Sequence, residues 1–122
     1  MKHSNSFSFD LSFGEEAEDW ARSLFTGSFK VEVKSDRMAH ETGNLYVEIY
    51  SRGKKSGLST STADYWLFKI KGGVSFFIET EELKKRVKMN WNGKYVLGGD
   101  DDTSKGVLIA INKIWKITNT KN

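Results

Sequence analysis

The chain has no cysteine and no proline among its 122 residues, and only two histidines. Without cysteine there is no disulfide framework, no thiolate zinc site and no cysteine nucleophile, and a reducing compartment is compatible with the composition. His3 and His40 are too few and too far apart to form a metal-binding pair, although His40 falls in a loop near several acids. With no proline, no low-complexity stretch and no internal repeat, nothing marks a linker, and residues 1–122 are expected to form one domain. No segment approaches the ~18 consecutive apolar residues of a membrane span. The opening "MKHSNSFSFD" lacks the apolar core of a signal peptide, so the cytoplasm is the expected location and no membrane partner is expected. Nucleophilic serine motifs are also missing. The loop "GGDDDTSKG" has neither the spacing of a phosphate-binding P-loop nor the glycine and glutamate of an EF-hand, and reads as a polar loop.

Hydrophobic residues make up 38% and charged residues 29%, with four Trp, four Tyr and eight Phe, a balance that belongs to a folded protein. The formal charge of +3 is a weak pointer to an anionic partner, but its distribution is uneven. Residues 1–28 hold five acids and two cations, so the excess of positive charge lies entirely in residues 29–122.

Apolar positions in "FGEEAEDWARSLF" follow helical spacing and predict a helix over 14–25 that ends near Gly27. "SFKVEVKSD" and "NLYVEIYSR" read as two strands joined through "TGN" into an antiparallel hairpin. A polar turn or short helix at "SGLSTST" leads to a third strand, "DYWLFKI", and "VSFFIET" forms a fourth. "TEELKKRVKM" reads as a short helix capped by Thr80, with acids first and cations last. "KYVLGG" and "GVLIAINKIWKI" supply a closing pair of strands. The sum is an α+β domain with a mixed central sheet flanked by helices. Residues 72–122 carry no functional signal beyond completing this fold.

The chemistry-bearing stretch is "VEVKSDRMAHETGNLYVE". Alternation along the first strand puts Val31 and Val33 on one face and Glu32, Lys34 and Asp36 on the other. If that strand pairs with the next, Glu48 lies opposite or diagonal to Lys34 and Glu32, and the crowded carboxylates call for a cation between them. Carboxylate and water oxygens suit Mg²⁺ or Mn²⁺, which bind through one or two protein carboxylates together with substrate phosphate. A neighbouring lysine then stabilises charge on a phosphoryl oxygen or orients a water. The following segment places Arg52, Lys54, Lys55, Ser56 and Thr62 where cations, hydroxyls and backbone N–H groups make phosphate contacts. The helix "EELKKRVK" reads instead as a solvated face laced by i,i+4 pairs, and the four tryptophans as core, with Trp91 the polar-flanked exception.

Glu32, Lys34, Asp36, the "TGN" at 42–44, Glu48, the "SG" at 56–57, Thr62, Ala63, Asp64 and Trp66 together resemble the PD-(D/E)xK nuclease superfamily, in its small phage-encoded, Holliday-junction-resolvase-like members. The resemblance covers residues 13–70 and implies a restriction-endonuclease-like fold. It further implies a Mg²⁺- or Mn²⁺-dependent DNA endonuclease in which Asp36 and Glu48 hold the metal, Glu18 on the first helix holds a second metal or its water, and Lys34 positions the attacking water. Glu15 is the alternative acid on that helix. One departure stands out: two residues after Glu48 comes Tyr50, where the family pattern has lysine. Lys34 either replaces that lysine from the neighbouring strand or belongs to a "VEVK" version of the motif. Branched or flapped DNA and a homodimer are the partners the resemblance implies, in a host cell's cytoplasm. The alternative function is a catalytically inactive nucleic-acid-binding or assembly protein on the same scaffold.

Overall fold

The computed structural model describes the backbone over residues 3–114 and side chains over residues 14–114. The chain divides into two compact units, Met1–Lys30 and Val31–Asn122. The first holds one helix, α1 (His3–Phe25), which begins well before the expected residue 14. Arg22 closes an ion pair on Asp19 at 3.2 Å near its C-terminal end.

The second unit contains β1 (Val31–Ser35), α2 (Ala39–Thr42), β2 (Asn44–Ser51), β3 (Lys54–Lys55), β4 (Tyr65–Lys69), β5 (Ser75–Glu79), α3 (Thr80–Met89), β6 (Val96–Gly98), β7 (Ser104–Ala110) and α4 (Ile111–Ile114). These strands form two sheets, one of order β1-β4-β5 and one of order β3-β2-β7-β6. β1 runs parallel to β4 and β4 antiparallel to β5, whereas every pairing in the second sheet is antiparallel. The protein is therefore α+β, with one mixed and one antiparallel sheet.

The expected hairpin of residues 28–52 is not formed, because β1 and β2 belong to different sheets. The intervening "AHET" coils into α2, and Gly43, at φ 76°, turns the chain out of it in the left-handed conformation that glycine adopts without a Cβ penalty. β2 then finds a better partner than β1. Leu45 and Val47, both fully buried, lie directly opposite Ile109 and Val107 of β7. Glu48 is accordingly opposite Gly106, not beside Lys34 and Glu32.

The faces of β1 alternate as expected, and the charged one is turned toward the core. Glu32 and Lys34 are the register partners of Trp66 and Phe68, so the charged positions share the face of the two largest core side chains. Val33, on the other face, is 59% exposed. Trp66, Phe68, Leu45, Val47, Val107, Ile109, Leu58 and Leu83 make one hydrophobic cluster, and Leu83 brings α3 into it. Burying a side chain of this kind contributes about 1.5–3 kcal/mol.

Three local expectations need correction. Thr80 is the first residue of α3 rather than its cap, and its hydroxyl donates to the Ala63 carbonyl at 2.7 Å. The last strand stops at Ala110 and turns into α4; the proposed continuation to residue 117, with Trp115, lies outside the described residues. Trp20, read as core, is 47% exposed, whereas Trp66 is buried as expected. On α3, Arg86 pairs with Glu82 at 3.2 Å, while Lys84 and Lys85 pair with Glu81 and Glu82 at i,i+3 spacing. Among the described residues, no helix is long and apolar enough to cross a membrane.

Candidate active site

A cavity of about 460 Å³ in the second unit is lined by Lys34, Asp36, Tyr46 and Glu48 together with Trp66 and Leu97. Three of the four expected catalytic residues therefore line one cavity, although by a different route from the hairpin. Lys34 and Asp36 come from β1 and its C-terminal end, and Glu48 comes from the other sheet. Glu18 is an exposed residue of α1, in the unit that does not carry the cavity.

The Asp36 carboxylate is heavily engaged. Oδ1 accepts the backbone N–H groups of Met38 and Ala39 at 3.2 and 3.1 Å, and Oδ2 accepts that of Tyr46 at 2.9 Å. The first pair satisfies donors at the start of α2 that have no partner within a helix, and the third ties the loop to β2. Glu48 is less committed: its Oε2 accepts the Ser56 hydroxyl at 2.7 Å. The Lys34 ammonium lies 3.5 Å from Glu32 Oε2 and 5.7 Å from the centre of the Trp66 ring. An ion pair and a cation–π contact thus hold it over the aromatic wall.

Tyr46 is a site residue that the sequence reading missed. It lies two positions before Glu48, on the same face of β2, and that alternation was the available signal. Its ring rests on Gly98 and Gly106, where an added Cβ would come within 2.7 Å of ring atom Cζ. Its hydroxyl shares a 2.8 Å hydrogen bond with Ser104. Burial raises the Tyr46 pKa above 10.0, the Ser104 hydrogen bond pulls it down, and the negative charge of Glu48 pushes it further up.

The other expected contacts are spread along one short segment. Arg52 and Gly53, both at positive φ, turn β2 into β3, so Lys54 and Lys55 stand exposed on a two-residue strand. Ser56 faces Glu48, and Thr62 is exposed further along the chain. His40 pairs with Glu41 at 3.7 Å and is not among the residues lining the cavity. The three aspartates at 100–102 form a 3-10 turn, with Asp101 and Asp102 at positive φ.

The donor set can be weighed against a divalent ion. Among the described residues, no group of three or more His, Cys, Asp or Glu is arranged to hold a metal. A carboxylate offers roughly four lone-pair positions, so three N–H donors leave Asp36 little to give. Glu48 keeps more capacity. These residues do not make a closed protein cage, but they fit the sparse mode in which Mg²⁺ takes one or two carboxylates, several waters and a substrate phosphate.

Comparison with protein-family models, with curated proteins and with solved structures finds no match to this chain.

Proposed function

We propose that the cavity binds a phosphodiester of DNA and that the protein is a metal-dependent endonuclease. The observation that carries this reading is the convergence on one cavity of Lys34 and Asp36, from β1 and its end, with Glu48, from β2 in the other sheet. Glu48 is the principal anchor for Mg²⁺ or Mn²⁺, with Asp36 contributing whatever coordination its backbone duties leave. When bound, the ion supplies positive charge to the phosphoryl oxygens and acidifies a water. Lys34 stabilises the negative charge that develops on the phosphate, and its contacts with Glu32 and Trp66 fix its approach. Tyr46 lines the cavity, and its hydroxyl, which shares a hydrogen bond with the buried Ser104, can donate to a phosphate oxygen. Arg52, Lys54, Lys55, Ser56 and Thr62 extend the phosphate contacts outward from Glu48. The residue two places after Glu48 is Tyr50, so Lys34 is the amine this reading requires.

The test is cleavage of plasmid, flapped and branched DNA with Mg²⁺ and with Mn²⁺. The expected result is metal-dependent cutting that Glu48→Gln reduces by at least about 100-fold while DNA binding persists. Failure of the parent protein to cut any of these substrates with either metal would overturn the reading. One observation favours a second function, DNA binding without turnover: the Asp36 carboxylate already serves three backbone donors. That alternative predicts salt-sensitive DNA affinity, no cutting, and little change in melting temperature on adding metal.

A further inference from the structure

Beyond Glu48 the register of β2 shifts by one residue. Glu48 is opposite Gly106, yet Tyr50 is opposite Lys105, so Ile49 is the extra residue of a bulge. Tyr50 is thereby aligned with Lys105 on one side and with Lys55 of β3 on the other. Direct cross-strand partners share a face, so the tyrosine sits between two lysines.

The Tyr50 ring meets Tyr95 edge-on, with centroids 5.5 Å apart, and Tyr95 meets Trp91 at 4.6 Å. Trp91 and Tyr95, on the loop before β6, are 43% and 39% exposed. A string of three aromatic rings with open surface is expensive to leave in water unless something covers it. Lys94, adjacent to Tyr95, is exposed, and among the described residues Lys55, Lys94 and Lys105 form no ion pair.

This combination discriminates between partners. Protein interfaces are depleted in lysine at their apolar centres. Rings interleaved with uncompensated cations suit a strand whose bases stack while its phosphates pair with ammonium groups. Duplex DNA hides its base faces, so the rings can only engage unpaired nucleotides.

We propose that Tyr50, Tyr95 and Trp91, with Lys55, Lys94 and Lys105, form a stacking platform for the unpaired bases of single-stranded DNA. This rests on the proposed function and names the form of substrate: a single strand or flap that lies on the platform while a phosphodiester reaches the cavity.

The experiment is fluorescence-anisotropy titration of the full chain with labelled oligothymidylate and with a labelled duplex of equal length, over a series of salt concentrations. The parent is expected to prefer the single strand, and Trp91→Ala and Tyr95→Ala each to weaken that binding about tenfold without changing its salt slope. Trp91→Phe, which keeps a ring, is expected to restore most of the affinity. Lys105→Gln should instead lower the salt slope by about one. Equal affinity for single strand and duplex, or Trp91→Ala binding like the parent, overturns the platform. So does a Trp91→Ala variant that turns a dimer into a monomer by light scattering, which would assign the rings to a second copy. Cleavage of the same DNA separates the two proposals. Binding with these sensitivities but no cutting removes the nuclease and leaves the platform, whereas cutting that ignores Trp91 and strandedness does the reverse.

Discussion

Asp36, at the end of β1, accepts the backbone N–H of Tyr46, in the middle of the β2 half nearest α2, at 2.9 Å. The bond crosses from one sheet to the other, since among the described residues β1 pairs only with β4 and β2 only with β3 and β7. It does the work that a hairpin ladder would have done, holding the two ends of the "SDRMAHETGNLY" connection in register. A residue read as a metal ligand is therefore also a structural tie.

Asp36→Ala should for that reason lower stability as well as function. It strips the acceptor from three backbone N–H groups, and a loss of about 2–3 kcal/mol in urea unfolding is expected. Asp36→Asn, which keeps one acceptor oxygen, should lose less. An Asp36→Ala protein with unchanged unfolding midpoint would show that these bonds contribute nothing.

Glu48→Gln separates chemistry from folding more cleanly. The amide can still accept the Ser56 hydroxyl, so the melting temperature should stay within about 2 °C of the parent while metal-dependent cutting is lost. Ser56→Ala, which frees the carboxylate, should alter activity only severalfold. The comparison needs cleavage rates and thermal melts on the same preparations.

Much of this fold is legible in local pattern. The alternation in "NLYVEIY" marks β2, and the charge order in "TEELKKRVK" marks α3. What the pattern does not contain is the partner of each strand. "VEVKS" alternates equally well beside β2 or β4, and the choice follows from which side chains the whole chain can bury: Leu45 and Val47 close on Ile109 and Val107, sixty or more residues away. Of the candidate site, Lys34, Asp36 and Glu48 could be singled out by residue type and spacing, but the cavity they line could not. Gly98 and Gly106, which make room for Tyr46, acquire that meaning only when β6 and β7 are laid beside β2.

Tyr46 gives a pH signature. Its folded pKa stands above 10.0, first because burial disfavours the phenolate and then because Glu48 repels it, while Ser104 acts in the opposite sense. A group with a raised folded pKa contributes fully below the unfolded value. Its contribution is lost as pH climbs through the folded one, because the unfolded chain ionises first. Stability should thus fall as pH rises from the ordinary tyrosine value of 10.0 through the raised folded one, and Tyr46→Phe should make that fall shallower. Urea midpoints across this range decide it; parallel curves for the two proteins would remove Tyr46 from the alkaline response.

Gly57 tests whether the position of Glu48 is set by its backbone surroundings. Gly57 adopts φ +57°, and a Cβ there would drive directly into the Glu48 carbonyl and within 2.9 Å of the Glu48 Cβ. The obstacle is main chain on both sides, in a strand whose next residue, Ile49, accepts the Ser56 N–H at 2.9 Å, so it cannot swing aside as a flexible side chain would. Gly57→Ala combines a disfavoured conformation with this clash, and a destabilisation of about 2 kcal/mol or more is expected. If Glu48 is the metal anchor, the displaced carboxylate should also weaken metal-dependent cutting in whatever fraction remains folded, read as activity per folded molecule after a thermal melt. A Gly57→Ala protein as stable and as active as the parent would mean that the Glu48 strand can shift without consequence, and that its close fit against the 3-10 turn at 57–60 has no part in shaping the site.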